Sequence, residues 1–306
     1  MKRWRSSMRS ERALFAILAL LLSLVFLSGT YAQADVTVER NIVYATHEGM
    51  DLRLDIAFPI QGKGPLPALI FISGSGWGHW WGPSFDRSQY SSAILKAAKN
   101  GYVAIAADYR PTSIRAEGSV KYPYPCQLID VRSAVRWLRG HSLTYNIDPS
   151  RIGAVGWSSG AHLSLLLGLM GSELRIPGEA MDEDLSSTVQ AVVSIGGPTD
   201  LALLYRESTF LGIADAVSEL MGGSPDALGQ KYMEASPIHY LHKGSAPILM
   251  IQGAADLEVP PDQATLFAAR ADDIGASVRL ILLKYLGHIN LVDNKEIYPF
   301  LDSVLK

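Results

Sequence analysis

Apolar and polar positions follow two rhythms along this chain. Leu52-Arg53-Leu54-Asp55-Ile56 is apolar at every second position, the pattern of a strand with one wet face. Val36–Tyr44 is expected to pair with Leu52–Phe58 as a hairpin across His47-Glu48-Gly49. Ala68–Ile72 and Val103–Ala107 are unbroken apolar runs, as expected of strands covered on both faces. Arg151–Val155, Ala191–Ile195, Ile248–Gln252 and Val278–Leu283 read as further strands. Between the strands the spacing turns helical. Ser91–Lys99 stops at Asn100-Gly101, and Leu128–Leu138 carries Val131, Ala134, Val135 and Leu138 on one stripe. Ala161–Leu167, Pro261–Asp272 and Glu296–Leu305 are the other helices. This alternation predicts an α/β fold with a mostly parallel central sheet and helices on both faces. Sites in such sheets lie beyond the carboxyl ends of the strands. Residues 35–306 are expected to form one domain, with a small cap or insertion at about 201–244, where Gly, Ser and short helical pieces prevail.

Composition narrows the class. The chain has 306 residues, 48% hydrophobic and 19% charged, which is a globular balance rather than a disordered one. The net charge of −3 comes without a basic stripe, which argues against nucleic acid as a partner. Cys126 is the only cysteine, so no internal disulfide can form and the fold must stand on packing. The N-terminus reads as an address. Lys2, Arg3, Arg5, Arg9 and Arg12 precede the apolar run from Ala13 to Leu27, and Ala32-Gln33-Ala34 supplies small residues for cleavage before Asp35. Residues 1–34 are therefore expected to be a secretory signal, with the product exported (periplasmic or secreted) and not stably anchored once cleaved. The alternative is an uncleaved anchor.

The richest chemistry is in Gly156-Trp157-Ser158-Ser159-Gly160, which falls between a buried strand and an apolar helix. A serine at such a corner is strained and exposed, and glycines two places either side let helix and strand approach closely. Ser158 is the candidate nucleophile. The backbone N–H of Ser159, opening the helix, is a candidate oxyanion donor. The other reading is a Gly/Ser turn before a core helix.

A serine hydroxyl needs a base, and the base needs an orienting carboxylate. Only His288, in Tyr285-Leu286-Gly287-His288, follows the last strand. His162 lies in the helix after Ser158 and is better read as packing. For the acid, Asp256 sits in the turn just past Ile248–Gln252, Glu258 is close behind it, and Asp200 follows an earlier strand with turn-capping as its other reading. A second oxyanion donor is expected in the loop after the third strand, Ser73-Gly74-Ser75-Gly76-Trp77, from Gly74 and Ser75 with Gly76 adjacent. The tryptophans of Trp77-Gly78-His79-Trp80-Trp81-Gly82 read equally as a pocket lining or as core fillers.

From about Asn41 to Lys306 the chain resembles the α/β-hydrolases of the esterase/lipase branch. More narrowly, it resembles the carboxylesterase-like group that includes feruloyl and acetyl-xylan esterases. The matching stretches are Asp108-Tyr109-Arg110, Asp130–Leu138, Ile147–Ile152, Gly156–His162, Gly197–Leu201, Ala235-Ser236-Pro237, Gly253–Gln263 and Gly287-His288. The resemblance implies Ser158 as nucleophile, Asp256 as acid and His288 as base. It also marks a departure: the family's oxyanion loop is usually His-Gly-Gly-Gly followed by Trp, and here Ser73 replaces the His and Ser75 the middle Gly. The expected function is serine-dependent hydrolysis of carboxylic esters, on a small-molecule or carbohydrate-linked substrate, with no metal or organic cofactor. An amidase or peptidase on the same fold and a non-catalytic binding protein are the rival readings.

Overall fold

The main sheet is built from β1 (Val36–His47), β2 (Met50–Pro59), β3 (Leu66–Ile72), β4 (Val103–Ala107), β5 (Ile147–Trp157), β6 (Ala191–Ile195), β7 (Ile248–Gly253) and β8 (Val278–Leu283). The computed structural model describes residues 36–60, 64–78, 87–114, 120–171, 174–179 and 185–306. The signal read from residues 1–34, and His79, Trp80, Trp81 and Gly82, lie outside the described residues.

The strand order is β1-β2-β4-β3-β5-β6-β7-β8, with β2 antiparallel to both its neighbours and the strands from β4 to β8 parallel. Periodicity anticipated the strands; the order is additional. The chain runs outward from β3 to β4, returns past β3 to β5, then runs the other way to β8. This reversal puts the carboxyl ends of β3 and β5 side by side, where open α/β sheets bind ligands.

The unbroken apolar runs serve two cores. Ala68, Ile70 and Ile72 of β3 join the core on one face, and Leu69 and Phe71 join the core on the other. The first face is covered by α2 (Cys126–Gly140), α3 (Ser159–Leu169) and α7 (Asp262–Ile274), and the second by α1 (Ser91–Lys99) and α8 (Ile297–Leu305). The predicted stripe of α2 is real: Val131, Ala134, Val135 and Leu138 are all 0% exposed. Each such Leu or Val contributes about 1.5–3 kcal/mol by leaving water.

Between β6 and β7 stand α4 (Leu201–Glu207), α5 (Ile213–Met221) and α6 (Pro225–Ala235), followed by a short 3-10 turn at Pro237–Tyr240. Leu204, Val217, Leu220 and Tyr232 belong to the same core as α3. This segment and the sheet fall in one unit, Val36–Lys306. Two features differ from the sequence reading. A two-stranded ribbon pairs Ser113–Ile114 with Val120–Lys121, too short to leave a pattern. β5 starts four residues before Arg151, although Asp148 still forms the expected turn by accepting from Ser150 N (2.9 Å) and Ser150 Oγ (2.6 Å). The β3–β5 ladder absorbs this as a register shift between Leu66 and Ala68.

Candidate active site

β5 ends at Trp157 and α3 begins at Ser159, so Ser158 alone makes the corner. Its backbone angles are φ 56° and ψ −126°, a region that costs a serine about 1–3 kcal/mol. Hydrogen bonds hold it there: Ser158 N donates to Ile195 O (2.9 Å) and Ser158 O accepts from His162 N (3.1 Å). The flanking glycines are required by contact. A methyl group on Gly160 would strike the carbonyl oxygens of Ile72 and Ser73, and one on Gly156 would strike the carbonyl of Gly160.

His288 and Asp256 meet at the next edge of the sheet. Nδ1 of His288 lies 2.7 Å from Asp256 Oδ2, with the side chains 5% and 1% exposed. The carboxylate also accepts from Gln252 Nε2 (3.1 Å) on Oδ2, and from Glu258 N (3.0 Å) and Val259 N (2.9 Å) on Oδ1. A carboxylate only accepts hydrogen bonds, so the ring must be the donor in this one, with its hydrogen on Nδ1. Nε2 is left as the basic nitrogen. It is buried and makes no hydrogen bond, so the Ser158–His288 hydrogen bond expected of a triad is not formed in this arrangement; such bonds are often long or misaligned in substrate-free enzymes. The ring sits beside the corner nonetheless. It lies against Trp157, with centroids 5.3 Å apart, and a methyl on Gly196 would come within 3.2 Å of its Cε1. Gly196 (φ 55°) makes room for the base, and the Gly197-Pro198 turn beside it is the sequence signal nearest to that position.

The oxyanion loop follows β3. A methyl on Gly74 would lie 2.7 Å from Ser158 Cβ, so this peptide stands directly beside the candidate nucleophile. Ser75 requires a correction. Its N–H, expected to face a bound carbonyl, is donated to Ser159 Oγ (2.9 Å) and is therefore engaged in holding the loop. Ser159 thus contributes its hydroxyl as well as its backbone N–H, a role that no motif in the sequence marks. Tyr109 completes the brace: its OH donates to Ser73 O (3.1 Å) and lies 3.3 Å from Ser159 Oγ. Gly74 N–H and Ser159 N–H, the latter in the first turn of α3 and without an intrahelical acceptor, remain suited to an oxyanion.

The next residue anchors Tyr109. Arg110 N, Nε and Nη2 all donate to Asp130, at 2.7, 3.0 and 2.8 Å, and both side chains are buried. Other sequence candidates take structural roles. His162 Nε2 lies 2.7 Å from Ala235 O and its Nδ1 accepts from Trp77 Nε1 (3.2 Å), so the ring is neutral, with hydrogen on Nε2. Burial holds its pKa down at about 4. Trp77 is thereby a core filler, 3% exposed. Asp200 caps α4 by accepting from Leu203 N (3.0 Å). Cys126 is a free, half-buried thiol at the start of α2. Glu258 does not hold Nδ1; its Oε2 stands 4.0 Å from Nε2 of His288. A cavity of about 510 Å³, lined by Tyr124, Met170, Ile176, Lys231 and Tyr240, lies toward the far end of α3 and contains none of the site residues.

Known proteins share this fold. The BD-FAE family model matches residues 54–270. The chain is 28% identical over 240 residues to esterase LipC of Mycobacterium tuberculosis, covering 77% of this chain and 56% of that protein. It spans about half the length of the curated relatives it matches. A truncated carbohydrate esterase from gut microbiota superposes with a TM-score of 0.71 at 28% identity, over 89% of this chain and 97% of that one. Propionate-bound esterase 2 of Thermogutta terrifontis gives 0.66 at 26% identity, over 88% and 92%. The strand order, the serine corner and a family match across most of the chain agree: this protein has the α/β-hydrolase fold and belongs to the BD-FAE family.

Proposed function

We propose that this chain is an exported carboxylic ester hydrolase acting through an acyl-enzyme on Ser158. The observation that carries the reading is the 2.7 Å contact between His288 Nδ1 and Asp256 Oδ2, which leaves Nε2 basic beside the strained serine corner. The esterase names of LipC and of the two solved neighbours support ester chemistry. The carbohydrate esterase supports a carbohydrate-linked alcohol, and the bound propionate supports a short acyl group.

Ser158 Oγ attacks the ester carbonyl carbon as His288 Nε2 takes the hydroxyl proton. Asp256 steadies the resulting imidazolium and keeps its tautomer. Negative charge collects on the carbonyl oxygen, facing the N–H groups of Gly74 and Ser159. The tetrahedral species collapses, and Nε2 returns the proton to the leaving alcohol. Water, activated by the same nitrogen, then releases the acid. The apolar leader and its Ala32-Gln33-Ala34 site support export, and a secreted product whose N-terminus is Asp35 is the expected result of processing.

The test is hydrolysis of p-nitrophenyl acetate and butyrate by the protein and by Ser158→Ala, beside the matching anilide. Ester turnover that falls by about 10⁴-fold or more in the variant is expected. Equal turnover by both proteins removes Ser158 from the reaction. Anilide cleavage without ester cleavage assigns the site to amide chemistry.

A further inference from the structure

Glu258 enters none of these steps, yet its position is fixed. It lies in the turn between β7 and α7, where its N–H donates to Asp256 Oδ1 (3.0 Å) and its carbonyl accepts from Ser208 Oγ of the cap (3.1 Å). Both backbone groups are thus tied, which anchors the root of the side chain beside Asp256. Oε2 stands 4.0 Å from His288 Nε2, and the side chain keeps 29% of its exposure, so a bound molecule can reach it.

Nδ1 of His288 is committed to Asp256. The leaving alcohol must therefore collect its proton from Nε2, with its oxygen within about 3 Å of that atom. Glu258 then borders the alcohol side of the reacting bond, and a hydroxyl on the adjoining carbon falls within its reach. An ionised carboxylate only accepts hydrogen bonds, so it favours a donor there. A cationic group at that spot would trade its attraction to Glu258 against repulsion from the imidazolium that forms during the reaction, and an anionic group would repel Glu258 itself. A neutral hydroxyl meets neither penalty.

We propose that Glu258 is a specificity-determining residue that accepts a hydrogen bond from a hydroxyl beside the ester, selecting partly esterified polyhydroxy alcohols. The proposal rests on the ester-hydrolase reading and adds to it the residue that reads the alcohol beside the ester. A charge-assisted hydrogen bond of this kind is worth about 10- to 100-fold in kcat/KM.

The experiment compares a monoacetylated methyl xyloside that has one free hydroxyl beside the acetyl group with its analogue lacking that hydroxyl. The protein, Glu258→Gln and Glu258→Leu are assayed on both, with p-nitrophenyl acetate as a third substrate and thermal melting as the check on folding. Any effect of Glu258 on the imidazolium acts on the two xylosides alike and cancels in their ratio. The unaltered protein is expected to prefer the hydroxylated ester by about 10- to 100-fold, the ratio shrinking in Glu258→Gln and approaching one in Glu258→Leu. A ratio near one in the unaltered protein overturns the proposal. So does a ratio that both variants leave unchanged. Turnover of p-nitrophenyl acetate with neither xyloside cleaved overturns it too while leaving ester hydrolysis standing; no ester turnover at all removes both readings.

Discussion

His288 donates from Nδ1 to Asp256 Oδ2 across 2.7 Å although 32 positions separate them in the chain. Neighbouring parallel strands make the pairing. Gly253 of β7 is in register with Leu283 of β8, and the loops beyond stay zipped through Ala254 N to Leu283 O (3.0 Å) and Ala255 N to Leu286 O (2.9 Å). The pair is therefore set by the sheet and does not wait for substrate. Asp256→Asn would keep the shape of the site while allowing the wrong imidazole tautomer. A fall in kcat of about 10⁴-fold on p-nitrophenyl butyrate is expected, with a folded protein by circular dichroism. Retention of most of the activity would mean that the carboxylate does not orient the base.

Ser159 Oγ takes the Ser75 N–H out of the oxyanion set and, with Tyr109, braces the loop. Ser159→Ala leaves that buried N–H without its acceptor, at a cost of about 1–3 kcal/mol. It also frees the Gly74 peptide to shift relative to Ser158. Thermal melting should register the first effect. Steady-state kinetics should register the second as a ten- to hundred-fold drop in kcat with little change in KM, roughly the penalty for a displaced reacting group. An unchanged kcat in a destabilised protein would confine Ser159 to stability.

Asp130 accepts hydrogen bonds from three nitrogens of Arg110 and is 0% exposed. Replacing it by Asn leaves a buried guanidinium without its counter-charge, which costs about 3–5 kcal/mol. Urea unfolding of Asp130→Asn should show the midpoint lowered accordingly at an unchanged slope. A loss under about 1 kcal/mol would mean that Glu48, 2.8 Å from Arg110 Nη1, suffices as the partner.

His162 makes stability depend on pH. Its pKa is held down at about 4 in the folded protein by burial, against about 6.5 in an unfolded chain. Above pH 6.5 the ring is neutral in both states and contributes no pH dependence. Between pH 6.5 and 4 the unfolded chain binds a proton that the folded one refuses, so stability falls as the solution is acidified. From pH 7 to pH 5 this amounts to about 2 kcal/mol. His162→Gln removes the titration, so the stability gap between the two proteins should narrow by that amount at pH 5 in urea melts. A gap independent of pH would place His162 in contact with water.

Much of this was legible in the sequence, for physical reasons that differ from residue to residue. Ser91–Lys99, Val103–Ala107, Ala191–Ile195 and Val278–Leu283 coincide with the observed elements, because a polar residue or a glycine follows each one and closes its pattern. Asp256 and His288 stood out because each follows a strand at the carboxyl edge. The order of the strands was not legible, since periodicity records which face is buried and not which strand lies beside it. Nor was the fate of the Ser75 N–H: an amide's partner across 84 positions depends on where Ser159 Oγ ends up. The tryptophan loop was half-readable. Trp77 is settled by its hydrogen bond to His162, a contact between β3's loop and α3 that no local pattern encodes.

The most direct measurement on the nucleophile is mass spectrometry of the protein after reaction with a fluorophosphonate. A single adduct mapping to Ser158 is expected, absent from Ser158→Ala and formed far more slowly in His288→Ala. Label that persists in Ser158→Ala, or that maps to another residue in the unaltered protein, would mean that Ser158 is not the reacting group.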